Sequence, residues 1–196
     1  MITAADPERR ELRKRMRAAR RALPAVTRAE ADRAIQRHIE RLAAFRSARR
    51  VAVFLAFDGE PSLARLIARA HRRGKRLYAP VLRGMTMTFA EIEVSAEFAT
   101  NFFGILEPKL GAKIDARELD LVLTPLVAFD DRGTRIGVGR GYYDRCFRFL
   151  ANRRHWRRPK LLGVAYELQR VKPLASQSWD VPLWGVATEA GARRFS

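Results

Sequence analysis

The sequence predicts a layered α/β/α, Rossmann-like domain built around a largely parallel central sheet. Apolar residues recur at helical spacing over the first fifty positions and again after residue 62, whereas short and nearly continuous apolar runs begin at Val51, Leu119 and Lys160. Runs of this kind are typical of strands that are buried on both faces. Because such strands alternate with helices here, we expect a mainly parallel sheet that binds ligands beyond the carboxyl ends of its strands.

Composition sets limits on the size and surroundings of the protein. With 196 residues, of which 47% are hydrophobic and 31% charged, the chain is long enough for one well-packed core, so we expect a single domain over residues 1–196. Cys146 is the only cysteine, which excludes an intrachain disulfide. No apolar run approaches the ~20 residues of a membrane helix, and the first residues lack an apolar signal core. We therefore expect a cytoplasmic protein without membrane attachment.

A formal net charge of +18 raises the question of a nucleic-acid partner. Residues 1–50 hold 15 basic and 6 acidic side chains, and a second basic cluster lies in residues 145–160. Arginine and alanine are both abundant, which indicates a general compositional bias, and charge alone determines solubility and steering rather than fold. We favour a solvated basic surface over a nucleic-acid face, and we expect a monomer that acts on small molecules with no specific nucleic-acid partner.

The N-terminal region predicts two helices. Asp6 and Pro7 have the residue types of an N-cap and a first helical residue, and Pro24 stops the helix that follows. Thr27 and Glu30 form a capping-box pattern ahead of a second helix. The apolar face of the first helix is Leu12, Met16, Ala19 and Leu23, and that of the second is Ala31, Ala34, Ile35, Ile39, Leu42 and Phe45.

Strands and helices alternate after residue 50. Residues 51–57 predict a buried strand, and Ser62 predicts the cap of a helix that Gly74 ends. Further strands are expected over residues 75–81, 87–92, 119–129 and 160–166, and a helix near Tyr142. Within residues 119–129, Pro125 must mark the end of the strand, an edge or a bend.

The segment "GTRIGVGRGYYD", residues 133–144, has the composition of an anion-binding loop. Glycines allow positive φ and close approach of a ligand, and a helix that starts after them offers free N–H groups. A loose turn would show the same glycines. The dinucleotide fingerprint fails because it needs glycine where Tyr142 stands, and the phosphate loop of nucleoside triphosphatases fails because its Gly-Lys-Ser/Thr ending is absent.

The charged and aromatic residues of this segment leave two interpretations open. Arg135 and Arg140 could pair with phosphate oxygens, while Asp144 would repel them unless Mg²⁺ lies between. Alternatively, Asp144 is a first-turn acid that the helix dipole favours. Of Tyr142 and Tyr143, one can pack inward while the other presents its ring to a heteroaromatic ligand; core packing alone is the alternative.

These residues resemble the 5-formyltetrahydrofolate cyclo-ligases, also called methenyltetrahydrofolate synthetases. The resemblance covers nearly the whole chain and is most specific in "PLVAFDDRGTRIGVGRGYYDR", residues 125–145. Weaker matches follow in family order at "RRELR" (9–13), "FLAFDGEPS" (54–62), "FGILEP" (103–108) and "SWDVPLWGVATE" (178–189). The resemblance implies an ATP- and Mg²⁺-dependent conversion of 5-formyltetrahydrofolate to 5,10-methenyltetrahydrofolate, through a phosphorylated formyl group, with release of ADP and phosphate.

The resemblance also implies a role for each matched residue. Asp144 and Asp180 would hold Mg²⁺, and Leu55, Glu60 and Tyr142 would contact the folate, although Glu60 by itself resembles an exposed turn acid. Arg135, Tyr143 and Asp144 would be catalytic. ATP would be held by Arg9, Arg13, Arg135, Gly137, Val138, Gly139, Arg140, Gly141, Tyr142 and Tyr143.

Three positions depart from the family pattern. Arg9 stands where lysine is usual, and this exchange keeps the charge but changes the hydrogen-bond geometry. Arg140 stands where glycine or lysine is common, and Trp184 stands where a small or acidic residue is expected.

Overall fold

An eight-stranded sheet forms the centre of the computed structural model, which describes residues 7–151 and 158–195. The helices are α1 (Pro7–Arg21), α2 (Ala25–Arg41), α3 (Ala43–Ser47), α4 (Ala64–Arg72) and α5 (Tyr142–Phe147). The strands are β1 (Arg50–Ala52), β2 (Arg76–Arg83), β3 (Thr86–Glu91), β4 (Phe98–Thr100), β5 (Leu106–Pro108), β6 (Lys113–Ile114), β7 (Leu121–Pro125), β8 (Ala128–Phe129), β9 (Arg135–Ile136), β10 (Lys160–Val164), β11 (Gly185–Thr188) and β12 (Gly191–Arg194).

The sheet is mostly parallel, as the sequence predicts. Its strand order is β12-β11-β10-β7-β1-β2-β3-β6, and the five strands from β11 to β2 run parallel to their neighbours. Strands β12, β3 and β6 pair antiparallel at the two edges. Two small hairpins, β4-β5 and β8-β9, stand apart from this sheet.

Side chains that alternate along the central strands fill two separate cores, one on each face of the sheet. Val51 and Leu121 pack on the face that α2, α3 and α4 cover, together with Ile35, Phe45 and Leu66. Their neighbours Ala52 and Val122 pack on the opposite face with Phe147 of α5. Burial on both faces explains why these strands have continuous apolar runs. The predicted α/β/α layering is therefore confirmed.

The first helix agrees with its prediction, and the second differs in two ways. Helix α1 begins at Pro7 and ends before Pro24; its predicted N-cap, Asp6, lies outside the described residues. Helix α2 begins at Ala25, because the Arg28 amide donates to the Pro24 carbonyl at 2.9 Å and closes the first turn there. The capping box expected at Thr27 was therefore wrong. The helix also stops at Leu42, whose extended backbone (φ −65°, ψ 129°) separates α2 from the short α3.

The predicted strand at residues 51–57 is shorter in the structure. It pairs only as β1, over Arg50–Ala52, and after Val53 donates to the Tyr78 carbonyl at 2.8 Å the chain leaves the sheet. The strand expected over 119–129 ends at Pro125, which is the first of the three roles considered for that proline. Strands β11 and β12 were not predicted.

A buried glutamine joins two helices on one face of the sheet. Gln36 in α2 is 2% exposed, donates to the Ser62 carbonyl at 2.8 Å and accepts from the Leu66 amide at 2.7 Å. The predicted cap, Ser62, accepts only a long bond of 3.4 Å from the Ala64 amide. Gln36 therefore satisfies a first-turn amide of α4 that no local side chain satisfies.

Strand β1 lies where the direction of the chain connections reverses. The chain leaving β1 returns as β2 on one side, whereas the chain leaving β7 returns as β10 on the other. Pairing of β1 with β7 stops at Ala52 and Val122, but β10 stays paired with β7 as far as Pro125. The early end of β1 leaves a gap in the carboxyl edge of the sheet, which we call the notch. Open α/β sheets bind ligands at such a reversal point.

No described helix has both the length and the apolar character needed to cross a membrane.

Replacing Gln36 by Met should destabilise the protein by about 1–3 kcal/mol, because the buried Leu66 amide and the part-buried Ser62 carbonyl lose their partner. Urea denaturation of Gln36→Met measures this loss. Arg37→Met, on the exposed side of the same helix, is the matched control and should stay within about 0.5 kcal/mol of the unsubstituted protein. Equal stability of the two variants would contradict the assigned role of Gln36.

Candidate active site

A cavity of about 390 Å³ occupies the notch. Its size falls within the range of small-molecule sites. One wall is apolar and is formed by Phe54, Leu55, Phe57, Pro80, Leu82, Met87, Phe103, Ile105, Pro125 and Leu126. The other wall carries the glycine loop, residues 137–141, and three charged side chains near it, Arg17, Arg135 and Asp144. The cavity therefore has an apolar part in direct contact with a part formed by the glycine loop and charged side chains.

The glycine loop connects β9 to α5, and its backbone requires glycine at two positions. Gly139 has φ 99° and Gly141, the N-cap of α5, has φ 63°. In this left-handed region only glycine is unstrained. Gly137 lies outside this region, so its freedom is not used for a turn. Arg13 of α1 donates from Nε to the Gly137 carbonyl at 3.0 Å and holds the helix against the loop.

Asp144 lies in the first turn of α5 and is held by two donors. Its Oδ1 accepts from Nη2 of Arg135 at 2.6 Å and from the Val181 amide at 3.2 Å. Arg135 is 7% exposed and also donates to the Val181 carbonyl. The side chain of Asp144 keeps 26% of its surface exposed toward the cavity. Asp144 is thus fixed in position while it remains accessible.

Asp180 lies beside this group, because it precedes Val181 in the chain. Its Oδ2 accepts from Nη2 of Arg9 at 3.1 Å and from the Gln177 amide at 2.9 Å. Arg9 also donates to the Ala175 carbonyl. Each predicted metal ligand therefore forms an ion pair with an arginine.

The two tyrosines point differently, as the sequence predicts, but both line the cavity. The ring of Tyr143 stacks on Phe147 with centroids 6.2 Å apart, and burial raises the pKa of its hydroxyl above the usual range. Tyr142 donates from its hydroxyl to the Gly84 carbonyl at 2.8 Å, and its ring lies 6.5 Å from that of Phe103. Tyr142 thus joins the mouth of the cavity to the β2-β3 turn.

Glu60 is a nearly buried acid on the apolar side of the cavity. Its side chain is 9% exposed; Oε2 accepts from the Phe57 amide at 3.2 Å, and Oε1 lies 3.7 Å from Nη2 of Arg20. Burial raises the pKa of Glu60 to about 7, and the positive charge of Arg20 opposes that rise. Glu60 is therefore not the exposed turn acid that its local sequence resembles.

Comparison with known proteins assigns the family. The model of the 5-formyltetrahydrofolate cyclo-ligase family matches residues 5–189, which is nearly the whole chain. The protein belongs to the 5-formyltetrahydrofolate cyclo-ligase family. A cyclo-ligase of Haemophilus influenzae is 34% identical over 186 residues, covering 91% of this chain and 96% of the relative. A cyclo-ligase of Escherichia coli K12 is 41% identical over 143 residues, covering 70% and 76% respectively.

A solved structure agrees with this assignment. The 5,10-methenyltetrahydrofolate synthetase of Aquifex aeolicus superposes with a TM-score of 0.82 at 29% identity, covering 95% of this chain and 92% of the other. Cyclo-ligases of this family are enzymes that convert 5-formyltetrahydrofolate to 5,10-methenyltetrahydrofolate with ATP. The predicted family is confirmed.

The structure brings the predicted site residues together around one cavity. Those that line it are Leu55, Glu60, Arg135, Gly137, Val138, Arg140, Gly141, Tyr142, Tyr143 and Asp144. Gly139, in the same loop, faces Arg13 rather than the cavity, and Arg9 and Asp180 form their ion pair next to Asp144. The individual roles of these residues remain predictions.

Arg140 and Trp184, which both depart from the cyclo-ligase pattern, have different positions relative to the cavity. The guanidinium of Arg140 lies 4.1 Å from the centre of the Phe103 ring, at the cavity mouth. The Trp184 ring lies away from the cavity, with Nζ of Lys160 4.8 Å and the guanidinium of Arg194 5.9 Å from its centre. Trp184 therefore supports the packing of edge strands and does not shape the site.

Sequence reasoning missed several residues that shape the site. Arg17 lines the cavity and Arg20 lies behind it. In chain order, Arg9, Arg13, Arg17 and Arg20 are separated by four, four and three positions, which places them on one face of α1. This spacing could have indicated that Arg17 and Arg20 belong to the site, but a helix face that only contacts solvent can have the same spacing of arginines. Glu107, which accepts from the Leu82 amide at 2.8 Å and the Asn101 side-chain amide at 2.7 Å, gave no signal.

Replacing Glu60 by Gln should stabilise the protein above pH 7. Because its pKa is raised, Glu60 keeps its proton in the folded protein between about pH 4.5 and 7, whereas the unfolded chain has already released it. The free energy of unfolding therefore falls as pH rises through this window. The Glu60→Gln substitution removes this loss, and we expect a gain of roughly 1–3 kcal/mol at pH 8 and almost none at pH 4.5. Denaturation at both pH values measures the difference; an equal effect at both would contradict a raised pKa.

Proposed function

We propose that this protein catalyses the ATP-dependent cyclisation of 5-formyltetrahydrofolate to 5,10-methenyltetrahydrofolate, with release of ADP and phosphate. The proposal rests on one cavity in which an apolar wall meets the glycine loop. A folate needs a slot for a flat ring, and a triphosphate needs backbone amides and cations. The reaction requires both partners within bonding distance of each other.

The glycine loop is the proposed phosphate site. The positive φ of Gly139 and Gly141 shapes the turn that places Gly137, Val138 and Gly141 on the cavity wall, and Arg13 and Arg140 supply positive charge beside the loop. Arg9 would assist from the adjacent turn of α1, although its present partner is Asp180. Arg135 is nearly buried against Asp144, and we assign it to neutralising charge on the transferred phosphoryl group.

The carboxylates beside this loop fit Mg²⁺. Within the described residues no three metal-binding side chains form a cluster, and Mg²⁺ bound to a nucleotide needs only one or two carboxylates plus phosphate oxygens and water. Asp144 lines the cavity and its Oδ1 accepts from Arg135 and Val181, so Oδ2 is the oxygen that we assign to the ion. We propose that Asp144 and Asp180 hold the ion. When bound, Mg²⁺ would neutralise phosphate charge and orient the terminal phosphate.

The apolar wall and Glu60 form the proposed folate site. Leu55, with its neighbours on that wall, would pack against one face of the pterin ring, and Tyr142 would contact the ligand near the cavity mouth. The pterin carries N–H donors, for which an ionised Glu60 is the matching acceptor. Because the pKa of Glu60 is raised to about 7, folate affinity should increase as pH rises through neutrality.

The chemistry explains the need for ATP. The oxygen of the N5-formyl group is a poor leaving group, so it must first be phosphorylated. It attacks the terminal phosphorus of ATP; an O–P bond forms, the bond to the bridging oxygen breaks, and ADP leaves. N10 then attacks the formyl carbon, forms the new C–N bond and releases its proton to solvent. Loss of the formyl oxygen as phosphate completes the ring. The chain's residues contribute by positioning and by charge stabilisation, and Tyr143 keeps water away from the reacting atoms.

An absorbance assay for 5,10-methenyltetrahydrofolate tests the proposal directly. The purified protein, supplied with 5-formyltetrahydrofolate, ATP and Mg²⁺, should form product and ADP in equal amounts, and omission of any one component should stop the reaction. Folded protein that forms no product under these conditions would overturn the proposed function.

Replacing Asp144 by Asn should lower kcat by about 10²–10³ while the fold persists, because the amide oxygen can still accept from Arg135 but the charge is lost. Raising the Mg²⁺ concentration should recover part of the activity if Asp144 is a ligand. Glu118→Gln is the matched control, since Glu118 is 55% exposed and pairs with Arg50 at the amino end of β1. Full activity of Asp144→Asn would remove this residue from the site.

A further inference from the structure

The guanidinium of Arg20 is fully buried although it lies on the most basic helix of the protein. It is the one buried side chain of α1, at 0% exposure. Burial of an arginine is costly unless its donors are satisfied. Nε donates to the Asp58 carbonyl at 2.9 Å, Nη2 to Oδ2 of Asp58 at 2.9 Å, and Nη1 to the Leu126 carbonyl at 3.1 Å. One side chain thus joins the loops that follow β1 and β7, the two strands that border the notch.

Asp58 is held in a backbone conformation that α1 maintains. It has φ 53°, and it is the only non-glycine residue with a positive φ among the described residues. A positive φ costs energy in a non-glycine residue, so it persists only where the surrounding structure holds it. Besides Arg20, Arg17 donates to Oδ2 at 2.7 Å and Arg21 to Oδ1 at 3.2 Å. Burial opposes ionisation of Asp58, but Arg17 and Arg20 lower its pKa, so the carboxylate stays charged.

The Asp58 turn determines where Glu60 lies. The Glu60 amide donates to the Phe57 carbonyl at 3.0 Å, and Oε2 of Glu60 accepts from the Phe57 amide, so the turn is closed on both sides of Asp58. We propose that Arg20 is a positioning residue for the folate: it fixes the loop of residues 54–60 against α1 and keeps the Glu60 carboxylate available to the pterin. This inference rests on the proposed function, because Arg20 can position Glu60 for a folate only if the protein binds a folate.

The charges around Glu60 make the role of Arg20 measurable. The titratable groups that face Glu60 are Arg17 and Arg20 from α1, Asp58 from its own loop and Tyr143 from α5. Arg20 favours the ionised form of Glu60, and Asp58 disfavours it. Loss of Arg20 therefore shifts the titration of Glu60 to higher pH, and loss of the Asp58 charge shifts it to lower pH. Damage to packing alone would not produce shifts of opposite sign.

Direct binding of 5-formyltetrahydrofolate between pH 5.5 and 8.5, measured by calorimetry on the full chain, tests this inference. The midpoint is the pH at which affinity falls to half its value at high pH. We expect it near 7 in the unsubstituted protein, about 0.5–1 pH unit higher in Arg20→Gln and lower by a similar amount in Asp58→Asn. Arg20→Lys keeps the charge but cannot bridge Asp58 and Leu126, so it should weaken binding about tenfold with little change of midpoint.

Arg15→Gln is the matched control, because Arg15 is an exposed arginine of α1 with no role in the site, and it should leave affinity and midpoint unchanged. Should Arg20→Gln fail to fold, Asp58→Asn and Arg20→Lys still decide the question. Unchanged midpoints in Arg20→Gln and Asp58→Asn, with normal affinity in Arg20→Lys, would overturn the role of Arg20 while the function stands. Absence of folate binding by the unsubstituted protein would instead contradict the proposed function itself.

Discussion

The early end of β1 is the constraint on which the rest of the site depends. Because β1 pairs with β7 only as far as Ala52 and Val122, while β10 follows β7 to Pro125, the sheet opens between its two central strands. Two loops leave the sheet at this point, one carrying Leu55 and Glu60 and the other leading through β8-β9 to the glycine loop. Their separation creates the cavity, so the position of the site follows from strand pairing.

Helix α1 unites the two sides of this opening. Arg13 holds the glycine loop through the Gly137 carbonyl, and Arg20 holds the Asp58 turn and the Leu126 carbonyl. Leu12 and Met16 pack the same helix against the β8-β9 hairpin. Part of the large arginine content of the N-terminal region therefore serves the site, even though most of the excess charge lies on the exposed surface.

The sequence predicted those parts of the fold and the site that depend on the pattern of neighbouring residues. Continuous apolar runs predicted the parallel strands, and the glycines ahead of Asp144 predicted a loop that leads into a helix, because backbone freedom and helix starts are properties of neighbouring residues. The role of Arg20 could not be predicted, since Asp58 lies 38 positions away and an arginine on a basic helix resembles a solvated one. The capping box at Thr27 failed because Pro24 starts the helix earlier. The four-residue strands β11 and β12 are too short to show a period.

If folate and nucleotide meet in the notch, hydrogen exchange measured with both ligands bound should show protection there. On addition of 5-formyltetrahydrofolate and a non-hydrolysable ATP analogue with Mg²⁺, amides of residues 53–60 and 133–147 should exchange more slowly. Residues 43–50 and 113–120, at the opposite edge of the sheet, should not change. Protection at that opposite edge, with the two loops unaffected, would contradict the account.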